Sequence, residues 1–353
     1  MKTLTLNQPF EFSLSQTEPP QALQPGEALV RVHCIGICGT DLHAYRGKQP
    51  FFTYPRILGH ELGVEILEIG DKRLEISHES ISNLQSLQSL SVGDHCSVEP
   101  YLGCGHCIAC RTGKTNCCTG LQVLGVHTDG GMREFITVPA NKLHKSATLS
   151  YEQLALVETL GIGAHAVDRA ELRPNEFVLI IGAGPIGLSV IQFAKLHTPN
   201  IIVMDISPHR LAFCEQQLHV PHLVRADQDP LTQIEQITGG DLPTTVFDAT
   251  GNINSMNNSF QYVAHGGKLV FVGLVQADVS FNDPFFHRRE ITLFASRNAL
   301  SKDFPRIIQL VESGQIDTRP WVTHRASADE MLGQFNGWLK PETNVIKAVV
   351  SFT

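Results

Sequence analysis

Phe177-Val-Leu-Ile-Ile-Gly-Ala-Gly-Pro-Ile-Gly187 (FVLIIGAGPIG) joins a short apolar run to a G-x-G-x-x-G turn. Phe177–Ile181 has the length and composition of a buried strand, and the residues beyond the turn read as a helix to about His197. Such a glycine motif carries little weight alone. Between a strand and a helix it has a mechanism. Gly182 permits the tight turn, Gly184 lets the backbone approach a pyrophosphate, and Gly187 lets helix and strand pack closely, with Pro185 and Ile186 completing the turn. The helix N-terminus then offers unpaired N–H groups to phosphates. Asn200–Asp205 reads as a second strand, Pro208–Leu218 as a helix, and Thr245–Ala249 and Lys268–Gly273 as further strands with a helix-like segment between them. Ile291–Ala295 is a candidate last strand. Strands alternating with helices predict a doubly wound parallel sheet of the α/β class. Asp205 ends the second strand, where a carboxylate accepts hydrogen bonds from the adenosine ribose hydroxyls and repels a 2′-phosphate, so NAD is expected over NADP. Arg210 competes with that reading, because an arginine either holds a 2′-phosphate or covers the adenine. The bland alternative is a glycine-rich turn with no ligand.

Upstream of this unit the chain reads as β-rich. Ala28–Gly36 and Val64–Ile69 alternate like strands, Glu134–Val138 is β-prone, and Pro and Gly punctuate the runs. Ser77–Ser91 is rich in Ser, Gln and Leu; a short surface helix and a solvated excursion fit it equally, and no chemistry is assigned to it. The tail to Thr353 is mixed. At about 150 residues per domain, 353 residues predict two domains. With 42% hydrophobic and 18% charged residues, disordered and fibrous classes are excluded. Lys+Arg 27 against Asp+Glu 35 gives a formal charge of −8, which argues against broad binding to nucleic acid or an anionic membrane. Phe177–Ala194 is long and apolar, but its glycines and proline serve the turn, so no membrane span is expected. MKTLTLNQPFEF lacks an apolar core and a cleavage pattern; no signal peptide is expected, and the expected compartment is the cytosol.

The nine cysteines are an odd number for a fully paired disulfide framework, and Cys104, Cys107, Cys110, Cys117 and Cys118 cluster. Cys104, Cys107, Cys110 and Cys118 stand at C-x2-C-x2-C-x7-C, a set that closes a tetrahedral structural zinc shell. Cys117 is one register away and competes with Cys118. An iron–sulfur cluster is the rival, but the x3-C-P continuation of that motif is absent. A second constellation is dispersed: Cys38 in ICGTDLH, His60 and Glu61 in LGHE, and Glu158 in VETLGIGAHA. A catalytic zinc takes about three protein ligands and one exchangeable position, which Cys38, His60 and one carboxylate would supply. Singly, each has a bland reading: a buried cysteine, a core histidine, a surface glutamate.

ICGTDLH, LGHELG, the four-cysteine run and IIGAGPIG occur in this order, and the combination resembles the zinc-dependent medium-chain dehydrogenase/reductase family of alcohol and polyol dehydrogenases over essentially the whole chain. The resemblance implies a GroES-like β-barrel catalytic domain over 1–145, with a structural zinc lobe at about 101–120. It implies a Rossmann NAD-binding domain over 146–295 and a return to the catalytic domain over 296–353, with the active site between them. Cys38 and His60 match catalytic zinc ligands. Glu158 matches the third-ligand position, and Glu61 a glutamate that ligates directly or swings on and off the metal. Thr40 and His43 match a proton relay, and Val272, Gly273 and Leu274 a strand end beside the nicotinamide. One catalytic and one structural zinc per chain, NAD, a small-molecule substrate and a homo-oligomer, dimer or tetramer, are implied. Zinc would act as a Lewis acid on a secondary alcohol whose hydride passes to the nicotinamide.

GKQPFFTYPRILGHE, NCC, VLGVHTDGG, DATGN with SMNN, HGGKLVFVGL, FNDPFFHRRE and SRNAL with DF are similar to bacterial hexonate 5-dehydrogenases, which oxidise L-galactonate or L-gulonate at C5. A hexonate needs its carboxylate held; Arg297 is the candidate, with Asn298 and His287 for hydroxyl contacts and Phe51, Phe52 and Tyr54 as pocket walls. The departures are the Ser77–Ser91 segment and Thr159, where a proline commonly follows the glutamate. Sorbitol-type polyol or threonine dehydrogenases are rivals within the family. A non-catalytic zinc- and nucleotide-binding protein is a rival from another class, and a zinc-free quinone reductase is a third.

Overall fold

Alternating apolar and polar side chains build the first part of the chain into strands. Lys2–Gln8 (β1) pairs antiparallel with Glu11–Gln16 (β2). The long strand Glu27–Ile37 (β3) is the spine: it pairs antiparallel with Glu61–Ile69 (β4) and with Phe135–Pro139, and it turns Val30, Val32 and Ile35 into the core. His95–Val98 (β5) follows β4, and the two-residue strands Tyr101–Leu102 (β6) and Gln122–Val123 (β7) pair with each other across the cysteine run. Phe135–Pro139 is β8, and Leu143–Ser146 (β9) closes on β5. The computed structural model describes residues 1–49, 52–70 and 90–352; Phe51 and residues 77–89 of the Ser/Gln/Leu-rich segment lie outside them.

The strand–turn–helix at Val178 is the start of a six-stranded parallel sheet. Its strands are Val178–Ile181 (β10), Ile201–Asp205 (β11), His222–Arg225 (β12), Thr245–Asp248 (β13), Lys268–Phe271 (β14) and Thr292–Ala295 (β15), in the order β12-β11-β10-β13-β14-β15. This is the 3-2-1-4-5-6 order of a dinucleotide-binding fold. The central strands β10 and β11 are buried along their whole length, as helices on both faces require. The strands β13 and β14 stop earlier than the sequence suggested. Val272 and Gly273 both donate backbone hydrogen bonds to the Asp248 carbonyl, at 2.9 and 3.0 Å, which turns the chain out of the sheet. The segment that resembled a membrane span is a strand, a turn and the helix Pro185–Ala194, and no helix among the described residues is long and apolar enough to cross a membrane.

Val322–Ser327 (β16) and Lys347–Ser351 (β17) return to the first sheet, where β17 pairs antiparallel with β3. Two units result: Met1–Glu158 with Leu300–Thr353, and Thr159–Ala299. The first is the barrel-like unit and the second the parallel-sheet unit. One limit, Glu158/Thr159, lies inside a helix, and the other, Ala299/Leu300, lies in the irregular segment after β15. That helix, Tyr151–Ala170, begins packed on the first unit: the Tyr151 carbonyl sits against Gly63, and the Glu152 carboxylate pairs with Arg325 at 2.6 and 2.9 Å.

Candidate active site

Cys38 follows β3 directly and caps the helix Gly39–Tyr45 (α1). Its sulfur accepts from Thr40 N at 3.2 Å, and Asp41 Oδ2 accepts from Cys38 N at 2.9 Å, so a capping box fixes the Cys38 backbone. His60 and Glu61 sit where the chain enters β4, and Glu158 lies in Tyr151–Ala170, here α2. These residues are distant in sequence, yet the ligand atoms of Cys38, Asp41 and His60, and those of His60, Glu61 and Glu158, lie within 4.8 Å of one another. Asp41, His60, Glu61 and Glu158 are buried, and Cys38 is half-buried.

The electrostatics suit a cation. Burial alone would lower the His60 pKa, but the negative charges of Cys38, Asp41 and Glu158 raise it well above the ordinary histidine value. Burial raises the Asp41 and Glu158 carboxyls, against the pull of His60. His60 Nδ1 and Asp41 Oδ1 are 3.9 Å apart, and each is a buried atom without a hydrogen-bond partner. Thiolate, imidazole and carboxylate are the donor set of a catalytic zinc, so the residues present fit the metal.

The cysteine run forms a separate lobe between β6 and β7. The sulfurs of Cys104, Cys107, Cys110 and Cys118 lie within 4.8 Å of one another, whereas Cys117 is exposed and outside the group. A single helical turn, Ile108–Arg111, starts at Cys107, and the backbone N–H groups of Cys110 and Thr119 aimed at Cys107 lower its thiol to about 5. Backbone donors on sulfur prepare a thiolate, the form that binds zinc.

In the parallel-sheet unit Gly182 adopts φ +96°, and a side-chain carbon on Gly187 would collide with the Gly182 carbonyl oxygen. Pro185–Ala194 (α3) begins at Gly184 with Pro185 in its first turn. Asp205 Oδ2 accepts from Ala183 N at 2.7 Å and Oδ1 from Ser207 N at 2.8 Å, placing the carboxylate at the glycine turn. Arg210, on the helix Pro208–Leu218 (α4), reaches the same turn: its Nη1 lies 3.6 Å from the position of a Cβ on Gly184. Ile186 is half-buried in the turn, Val272 and Gly273 are half-buried past β14, and Leu274 is exposed.

Similarity to known proteins agrees with this arrangement. The alcohol dehydrogenase GroES-like domain family matches residues 24–148, and the zinc-binding dehydrogenase family matches residues 185–313. L-galactonate-5-dehydrogenase of Escherichia coli is 38% identical over 354 residues, spanning 100% of this chain and 99% of that protein. The chain belongs to the zinc-type medium-chain dehydrogenase/reductase family. Sorbitol dehydrogenase of Bacillus subtilis is 30% identical, over 99% of this chain and 97% of that one. The solved structure of the rspB short chain alcohol dehydrogenase of Escherichia coli with NADH superposes with a TM-score of 0.87 at 29% identity, covering 100% of this chain and 99% of that one. This dehydrogenase is a zinc-dependent enzyme acting on the CH–OH group of a small molecule, with zinc and NAD as cofactors.

Three site residues of the dehydrogenase escape a reading of the sequence. Asp41 stands three positions after Cys38, a capping spacing hidden within the ICGTDLH motif. Lys347 Nζ pairs with Glu61 Oε2, both side chains 1–2% exposed. Its signal is a lone lysine inside the apolar strand run VIKAVV. Tyr101 Oη donates to Glu158 Oε1, and only its place just ahead of the cysteine run marks it. Gly36 makes room for the Glu61 carboxylate, which a side chain there would strike.

The candidate substrate residues are placed less informatively. Arg297 is exposed, Asn298 has left-handed backbone at φ 53° and a buried amide nitrogen without a hydrogen-bond partner, and His287 is exposed on the helix Asp283–Arg288. Phe52 and Tyr54 meet edge-on at 4.9 Å and pack against the barrel core, with Tyr54 Oη donating to the Ala44 carbonyl at 2.5 Å.

Proposed function

We propose that this dehydrogenase oxidises a secondary alcohol of a sugar acid, L-galactonate or L-gulonate at C5, to the ketone with NAD. The observation that carries the proposal is 38% identity to the Escherichia coli L-galactonate-5-dehydrogenase along the entire chain. Sorbitol-type oxidation of a neutral polyol is the second reading, favoured by the full-length match to the Bacillus subtilis enzyme.

In this reading Cys38, His60 and Glu158 hold the catalytic zinc, with Glu61 kept on Lys347. Asp41 places a buried negative charge 3.9 Å from His60 Nδ1, and its other oxygen holds the Cys38 backbone. When bound, the zinc supplies a Lewis acid that polarises the substrate oxygen. Thr40 and His43 carry the released proton to solvent. Desolvation and the charges of Arg46 and Lys48 lower the His43 pKa, which keeps the imidazole neutral and able to accept that proton near neutral pH. Cys104, Cys107, Cys110 and Cys118 hold a structural zinc.

Gly182, Gly184, Pro185, Ile186 and Gly187 cradle the pyrophosphate of NAD. Asp205 and Arg210 bracket the adenosine end, and Val272, Gly273 and Leu274 contact the nicotinamide side. Arg297 pairs with the substrate carboxylate and Asn298 with a hydroxyl. The enzyme works in the cytoplasm as a homo-oligomer; nine cysteines without a disulfide among them fit a reducing compartment.

The test is NADH formation from L-galactonate, L-gulonate, D-sorbitol, L-threonine and simple alcohols by zinc-loaded protein. Preference for a hexonate, lost in Arg297→Ala, is expected. Faster turnover of a neutral polyol would overturn the sugar-acid reading and leave the zinc–NAD chemistry in place.

A further inference from the structure

Tyr101 connects two sites that the sequence presents as separate. It lies on β6, three residues ahead of Cys104, and β6 pairs with β7 at the other foot of the cysteine lobe through Tyr101 and Val123. The Tyr101 hydroxyl donates to Glu158 Oε1, and the ring is 4% exposed. The ring rests edge-on against Phe304, 6.4 Å between centroids at 72°. Phe304 stacks in turn on His144 at 4.8 Å and 19°. His144 and Lys142 flank the buried Glu99 carboxylate, at 3.3 and 2.5 Å, and Glu99 is two residues before Tyr101. The phenol is thus held through its strand pairing, its edge contact with Phe304 and its bond to Glu158.

We propose that Tyr101 is a positioning residue that orients the Glu158 carboxylate toward the catalytic metal, so that the base of the four-cysteine lobe sets the geometry of the catalytic site. The inference rests on the reading of Glu158 as a zinc ligand. A carboxylate on a flexible two-carbon stem turns freely unless one oxygen is held, and a phenol in hydrogen bond leaves the other lone pairs for a cation.

The test is Tyr101→Phe, which keeps the ring and removes the donor, with Glu158→Gln as its reference. Zinc affinity of the catalytic site is read by competition with a chromogenic chelator, and its geometry by the visible spectrum after Co2+ replaces that zinc. Y101F is expected to bind catalytic zinc 10–100-fold more weakly and to shift the Co2+ bands, while the lobe keeps its zinc. E158Q should do the same, and Y101F in the E158Q background should add nothing further. Y101F with parental affinity and spectrum, beside an altered E158Q, would overturn the role of Tyr101 alone. Parental behaviour in both variants would overturn the Glu158 reading and the inference with it. Where Y101F proves too unstable to load, the parent still decides. Zinc binding at the catalytic site should perturb the ultraviolet absorption of a buried tyrosine in the parent and not in E158Q; no such difference band refutes the link.

Discussion

Lys347→Met isolates the buried pair between β17 and β4. Both charged side chains are 1–2% exposed, so the partner left behind cannot turn to water. Removing one member of a buried ion pair costs about 3–5 kcal/mol. At about 2–4 °C per kcal/mol for a unit of this size, the apparent melting midpoint should drop by about 6–20 °C at pH 7. Thermal denaturation of K347M, E61Q and the double variant, each freed of zinc so that no metal takes up the Glu61 charge, reads this against the parent treated in the same way. The double variant should recover most of the loss, since it leaves no buried charge. A K347M midpoint within about 2 °C of the parent would refute the buried-charge reasoning.

Asp205→Ala should raise the KM for NAD by about 10–100-fold, from losing charge-assisted bonds worth about 1.5–3 kcal/mol, and narrow the margin over NADP. Steady-state kinetics with both cofactors check this, and an unchanged preference would show that Asp205 does not read the ribose. The cysteine lobe makes a separate prediction. Burial and the neighbouring sulfurs raise Cys110 to about 12, while Cys107 lies at about 5, so at neutral pH one is a thiol and the other a thiolate. Closing a four-thiolate shell must then expel at least one proton per zinc. Calorimetric zinc titration of the stripped protein in buffers of different ionisation heat measures that number, and proton-neutral binding would contradict the four-thiolate shell.

The parallel-sheet unit is legible in the sequence because its information is local. The strand, the glycine turn and Asp205 lie within one βαβ unit, and each glycine answers to a contact a few residues away, such as Gly187 against the Gly182 carbonyl. The helix Tyr151–Ala170 is harder to read, being apolar on most sides with glycines inside it; Gly163 earns its place by donating to Ser189 Oγ at 3.1 Å on a neighbouring helix. The four cysteines are legible by spacing, but the choice of Cys118 over Cys117 comes from which sulfur the backbone turns inward. Lys347 and Tyr101 are illegible for another reason. Each meets its partner across the fold, Lys347 from the last strand and Tyr101 from the foot of a lobe, and no pattern in one segment encodes a pairing with another.

Charge balance explains why these long-range partners exist. Cys38, Asp41, Glu61 and Glu158 bring four acidic groups into one largely buried volume, while His60 and Lys347 are the cationic groups paired with them. Unneutralised charge is expensive there, and a group in that position changes protonation before it tolerates isolation. Burial raises the Asp41 and Glu158 carboxyls, and the charges of Cys38, Asp41 and Glu158 raise His60 against its own burial. A zinc ion held by these residues would offset the acidic charge with two positive charges. Lys347 meets the remaining demand at Glu61, and the neutral Tyr101 phenol stabilises Glu158 without adding a competing cation. A lysine on β17 serves Glu61 on β4, and a phenol on β6 serves Glu158, so each carboxylate of the cluster has its own partner from a distant segment.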